Sequence, residues 1–120
     1  MKKLFSLSLV VVLALLLVLT GCSKSPGKYD AFASCLTESG AKMYGAYWCP
    51  HCKTQKSTFG NSWEAVDYIE CSLPNRMGQT AVCTKAGITS YPTWEFADGS
   101  RKSGAFSLED LSFFSGCKLE

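Results

Sequence analysis

One histidine in 120 residues, His51, leaves this chain short of the ligand that protein metal sites most often use. A basic surplus is also lacking. Twelve Lys and Arg face ten Asp and Glu, and Lys2 and Lys3 account for the whole net charge of +2. Nucleic-acid binding requires a basic stripe, so this chemistry excludes a nucleic-acid partner. Nor is there a polybasic patch to hold anionic lipid. Beyond the first two dozen residues there is no internal repeat and no low-complexity segment. The length admits one domain and a modest core, which cross-links would help.

What is present begins with a leader. Lys2 and Lys3 precede a nearly unbroken apolar run over 4–19, interrupted only by Ser6 and Ser8. That run is short for a membrane span and fits the hydrophobic region of a secretory signal. It ends in Leu19-Thr20-Gly21-Cys22, which resembles the lipobox of bacterial lipoproteins. The resemblance implies a signal peptide over 1–21 and lipid on Cys22. The plainer alternative is an uncleaved anchor with an incidental cysteine, and either places the rest outside the cytoplasm. Residues 22–28 read as a polar linker of about 15 Å reach, holding the domain over 29–120 close to a bilayer. Six cysteines remain beyond Cys22 (Cys35, Cys49, Cys52, Cys71, Cys83 and Cys117), an even count suited to disulfides in a small exported domain.

Periodicity predicts a helix over 29–39 capped by Asp30, a buried strand over 41–47, and a helix from Cys49 to Phe59 ended by Gly60-Asn61. A strand over 66–71, a loop over 73–78 and a short helix over 79–86 follow. The strand over 93–97 places Trp94 and Phe96 on one face. Asp98-Gly99 suggests a type I′ turn into a return strand over 101–105. Ser107 opens a last helix with a capping-box variant, Ser107-Leu108-Glu109-Asp110, closed by Gly116. The order is that of an α/β domain: a parallel βαβ unit, an antiparallel hairpin and a closing helix. Trp63, Trp94, Phe96, Phe106 and Phe113 read as core.

The chemistry centres on Cys49-Pro50-His51-Cys52. Only the thiolate is nucleophilic, and a helix N-terminus favours it through unpaired N–H groups and a partial positive charge. Cys49 falls where a strand gives way to a helix. Pro50 takes the first helical position, where its missing N–H costs nothing. His51 adds a donor that can carry positive charge. Cys52, one turn on, is placed to resolve a mixed disulfide formed at Cys49. A zinc half-site lacks a second ligand pair, haem attachment would need histidine where Lys53 stands, and a purely structural disulfide would gain little from so small a loop. No metal and no cofactor beyond the Cys49–Cys52 disulfide is expected.

Trp48-Cys49-Pro50-His51-Cys52 after an apolar strand, with Tyr91-Pro92-Thr93 before another, resembles the thioredoxin family. The longer strings Gly40 to Cys52 and Gly87 to Glu95 are similar to the thioredoxin-like domain fused to bacterial homologues of vitamin K epoxide reductase. The resemblance implies a thioredoxin fold, a cis Pro92 facing the redox pair, and a Tyr91 backbone that pairs with substrate, Trp48 shaping the same face. It implies a thiol–disulfide oxidoreductase of the cell envelope, exchanging disulfides with envelope proteins and an integral membrane redox protein, with lipid replacing the covalent tether. Stabilised Cys49 thiolate favours a dithiol oxidase over a reductase or isomerase; a metal-carrying binding module is the reading of another class. A monomer is expected. Met43 stands where many thioredoxins carry a buried carboxylate. Cys71 and Cys83 bracket the 73–78 loop, as a similar pair does in the fused domains. A disulfide there would contribute roughly 3 kcal/mol, with a second redox couple as the alternative. Cys35 and Cys117 would be a third pair, unless Cys35 is a buried free thiol.

Overall fold

A computed structural model of the protein describes residues 24–120. The leader over 1–21 and the lipidation candidate Cys22 lie outside the described residues. The first helix, α1 (Asp30–Glu38), buries Phe32, Ala33 and Leu36. Asp30 is not its cap. The N-cap is Tyr29, without a side-chain bond, and the Asp30 carboxylate instead accepts from the Gly27 N–H at 2.9 Å. A carboxylate one residue inside the helix is better placed to hold the incoming chain than to reach the second turn. Ser39 then caps the far end, and Gly40 at φ +91° turns the chain straight into β1 (Lys42–Gly45).

Helix α2 (Pro50–Phe59) buries Cys52, Gln55 and Phe59, the i, i+3, i+7 positions of one stripe. Gly60 breaks it at φ +56°, and a 3₁₀ helix, Gly60–Ala65, fills the stretch before the next strand, to which the sequence assigns no element. Its role is to fold Trp63 back onto Phe59, with ring centroids 5.7 Å apart, and onto Tyr68 at 5.6 Å. The segment before α1 docks against the same turn. The Tyr29 N–H donates to Ser62 Oγ at 2.8 Å, and Lys24 pairs with Glu64.

β2 (Tyr68–Glu70) runs parallel to β1, and β3 (Thr93–Glu95) runs antiparallel to its other edge, with β4 (Arg101–Ser103) outside, giving the order β2-β1-β3-β4. Between β2 and β3 lie a 3₁₀ turn at Pro74–Arg76 and the short helix α3 (Ala81–Lys85). All four strands are shorter than the sequence implies, because residues such as Val66 and Phe96 are buried by packing just beyond the ladder. The β3–β4 turn is not type I′. Only Gly99 has positive φ, and its N–H closes onto the Phe96 carbonyl at 2.8 Å while Asp98 accepts from the Ser100 N–H. This is a type I turn with a left-handed residue after it, the next commonest hairpin solution.

The result is an α/β architecture on a mixed four-stranded sheet. Alternation along β1 divides the core: Met43 joins Trp94, Phe59, Leu36 and Leu111 on one face, while Tyr44 joins Cys71, Cys83 and Ile88 on the other. Helix α4 (Leu108–Ser115) closes the larger face, its Ser107 cap accepting from the Asp110 N–H at 3.1 Å. Leu108 and Leu111 are buried, and Phe114 packs edge-on against Phe96 and Phe106. Phe113, expected in the core, is 85% exposed. It stands across the helix from the 108–111–114 stripe.

Candidate functional site

β1 ends at Gly45, and the next four residues carry the chain to the mouth of α2. Cys49 is the N-cap, with extended backbone (φ −74°, ψ 123°), and Pro50 is the first helical residue. Local sequence dictates this much: proline there rejects a preceding helix and starts a new one. The Cys52 N–H donates to Cys49 Sγ at 3.5 Å, and the Cys49 thiol donates to the Tyr91 carbonyl at 3.6 Å. Cys49 thus takes the capping role that Ser or Asp usually fills, at the positive end of the helix dipole. It is 5% exposed and Cys52 is fully buried, which preserves the expected order of access with a smaller difference than the sequence suggested. Both are free thiols in the structure. Pro50 and His51 are exposed on the first turn.

Burial pushes the Cys52 thiol up to about 12. A hydrogen bond from the Ala46 backbone and the charge of Lys56 pull the other way, while the Cys49 sulfur adds to the rise. Tyr68 is also raised, first by burial and then by its hydrogen bond to Glu70.

The wall beside Cys49 is aromatic. Trp48 meets Tyr91 edge to face, centroids 6.1 Å apart, and donates its indole N–H to Ser72 Oγ at 2.8 Å. Arg76 stands over the Trp48 ring at 5.4 Å, and Gln79 donates to the Tyr91 hydroxyl at 2.7 Å. Asn75 and Arg76 both have positive φ, the conformation that carries the loop back toward Trp48. Pro92 follows Tyr91 through a cis bond and is fully buried. Thus Trp48, Cys49, Cys52, Tyr91 and Pro92, far apart in the chain, share one end of the sheet.

Cys71 and Cys83 are joined, Cα atoms 5.5 Å apart, and tie the end of β2 to α3 beneath the loop that carries Ser72, Arg76 and Gln79. Cys35 and Cys117 are joined as well, at 6.0 Å, closing α1 onto the segment after α4. Cys35 is therefore not a free thiol. Among the described residues no three His, Cys, Asp or Glu side chains gather as a metal cluster, and no helix is long and apolar enough to cross a membrane.

Three polar residues near the pair went unnoticed in the sequence. Gln55 is fully buried, its Oε1 accepting from the Phe106 N–H at 2.7 Å and the Trp94 indole at 3.3 Å, its Nε2 donating to the Phe106 carbonyl at 3.0 Å. It cross-links α2, β3 and the approach to α4. Its spacing from Cys52 was the available signal. Tyr68 and Glu70 fall within the strand expected over 66–71, and their i, i+2 spacing sets them on one face.

No family model matches the chain. Over 106 residues, covering 84% of the chain, it is 37% identical to a protein of Arabidopsis thaliana named thiol-disulfide oxidoreductase LTO1. The chain spans 28% of the length of that relative.

Proposed function

We propose that this chain is a thioredoxin-like thiol–disulfide oxidoreductase that exchanges disulfides through Cys49 and Cys52, working as a dithiol oxidase. The observation that carries the reading is the reception of the Cys49 sulfur. It caps α2, takes the Cys52 N–H, and lies against the Tyr91 carbonyl at the end of the sheet. Helix-end stabilisation makes Cys49 a good nucleophile and a good leaving group. In the oxidising direction a substrate thiolate attacks Cys49, the Cys49–Cys52 bond breaks, and Cys52 leaves. A second substrate thiol then displaces Cys49, so the substrate loses two electrons and the protein gains them.

A thiolate at a helix N-terminus favours the reduced form and makes the disulfide oxidising, and Cys49 holds that position as the N-cap of α2. The Tyr91 backbone is the edge along which an extended substrate segment would lie, with Trp48 and Pro92 flanking it. Cys71–Cys83 acts as a staple for the loop that braces Trp48. The leader and Leu19-Thr20-Gly21-Cys22 support export and lipid anchoring at the extracytoplasmic side of a membrane, where envelope thiols are the substrates and an integral membrane redox protein is the recycling partner.

The test is a trap. Cys52→Ala in the native host leaves Cys49 joined to whatever it has met. Partners recovered in mixed disulfide with Cys49, including a membrane oxidoreductase, together with a mostly oxidised wild type, are the expected outcome. A wholly reduced wild type reverses the direction, and no mixed disulfide at all removes the enzyme.

A further inference from the structure

Cys52 has to gain and lose a proton, yet β1 offers it only the thioether of Met43. The thiol is fully buried and held well above its ordinary ionisation, so near neutral pH it is protonated and a poor nucleophile. β2 carries what β1 lacks. Tyr68 pairs with Met43 and Glu70 with Gly45 across the parallel ladder, so both face the same side of the sheet. Tyr68 converges with the sulfur at Gly45. A Cβ added there would lie 2.9 Å from Tyr68 Cε2 and 3.0 Å from Cys52 Sγ. Ring edge and sulfur therefore border one small space that only glycine leaves open.

From there the path continues. The Tyr68 hydroxyl donates to Glu70 Oε2 at 2.7 Å, and Glu70 Oε1 is fixed by the Ser72 N–H at 2.8 Å and the Tyr47 N–H at 3.2 Å. Lys56, one helical turn beyond Cys52, places its ammonium 4.0 Å from the Tyr68 ring centroid. The charged and titratable groups acting on Cys52 and Tyr68 are Cys49, Lys56 and Glu70, while Arg76 stands over Trp48. Glu70 is the carboxylate among them.

We infer that Glu70, acting through the Tyr68 hydroxyl, takes the proton from Cys52 and returns it during disulfide exchange. This rests on the exchange chemistry proposed above. When the protein disulfide closes, Cys52 gives its proton to a water, which passes one to the phenol oxygen as the phenol gives its own to Glu70. The Cys52 thiolate attacks the Cys49 sulfur of the mixed disulfide. The Cys49–Cys52 bond forms, the Cys49–substrate bond breaks, and the substrate sulfur leaves with the electron pair and is protonated by water. The protein dithiol loses two electrons and the substrate disulfide gains them. In the oxidase direction every transfer reverses, and the Glu70 proton neutralises departing Cys52.

Rapid quenching of the reduced protein after mixing with glutathione disulfide separates the two steps: formation of the mixed disulfide at Cys49, then its resolution by Cys52. In Glu70→Gln the mixed disulfide should accumulate, with resolution slowed about tenfold near neutral pH and its pH profile flattened. Alkylation of Cys49 by iodoacetamide should stay within about twofold of wild type, since the first step does not use the path. Tyr68→Phe keeps the ring and its contact with Lys56, and should move resolution in the same direction. It decides the matter alone if Glu70→Gln fails to fold by circular dichroism. Resolution rates and pH profiles equal to wild type would overturn the proton path while leaving the exchange reading intact. A wild type that forms no mixed disulfide would instead sink the exchange reading, and this inference with it.

Discussion

Cys49–Cys52 and Cys71–Cys83 are nearly alike in burial: Cys49 is 5% exposed and the other three sulfurs are fully buried. Their surroundings differ. Cys49 is met by a helix N-terminus, a backbone N–H and a carbonyl at the end of the sheet. Cys71 and Cys83 face each other among Tyr44 and Ile88, with Ile69 packed alongside. Burial alone would rank both pairs as inert. What separates them is which backbone groups the fold aims at the sulfur, because a thiolate is stabilised by donors and dipoles such as the α2 N-terminus and the Cys52 N–H, and not by an acceptor such as the Tyr91 carbonyl.

That contrast breaks most visibly on cross-link removal. Replacing both Cys35 and Cys117 with alanine opens a link spanning 82 positions, and chain entropy puts the loss at about 4.5 kcal/mol. The same change at Cys71 and Cys83, 12 positions apart, should cost about 3 kcal/mol. Urea unfolding measures both. Below its unfolding transition each variant should still exchange disulfides at Cys49. Loss of exchange in folded Cys71→Ala/Cys83→Ala protein would make that pair a redox relay and erase the distinction.

A smaller effect sharpens it from the other side. Gly45→Ala forces a methyl between Tyr68 and Cys52, for about 1–3 kcal/mol of strain. Denaturation midpoints should fall, and resolution at Cys52 should slow while the Cys71–Cys83 region is untouched. A variant as stable as wild type would mean that the sulfur has room to move.

The gentlest probe is pH. The Cys52 thiol ionises near 9.0 when exposed and at about 12 in the fold. The folded state therefore favours the protonated form. Its contribution to stability is complete below pH 9 and is lost as pH rises through the window toward 12. Thermal melts of the reduced protein should show this decline, reduced in Cys52→Ala. Removal of Cys71 and Cys83 should leave the slope unaltered, since a disulfide does not titrate. A slope unchanged in Cys52→Ala would assign the decline to Tyr68, whose hydroxyl is raised for the same first reason.

Much of the site was legible because its signals are local. Cys49 before Pro50 defines a helix start through one residue's missing N–H, and Gly40, Gly60 and Gly116 mark stops within a turn of where the chain bends. The Asp98-Gly99 hairpin was placed correctly but typed wrongly, since the dipeptide leaves Asp98 free to adopt either sign of φ. The 3₁₀ helix after Gly60 carried no local signal of its own. It forms because Trp63 gains Phe59 and Tyr68 as neighbours.

By itself the sequence determined where α2 begins, which two cysteines share its first turn, and the order of strands and helices around them. These depend on the backbone chemistry of adjacent residues. Only the tertiary structure decided that Cys35 meets Cys117, that Gln55 braces Trp94 and Phe106, that Phe113 faces outward while Phe114 packs, and that Tyr68 arrives beside Cys52 with Glu70 on its hydroxyl. Such contacts are set by sheet register and helix rotation, and a shift of one residue in either would send each side chain to the opposite face.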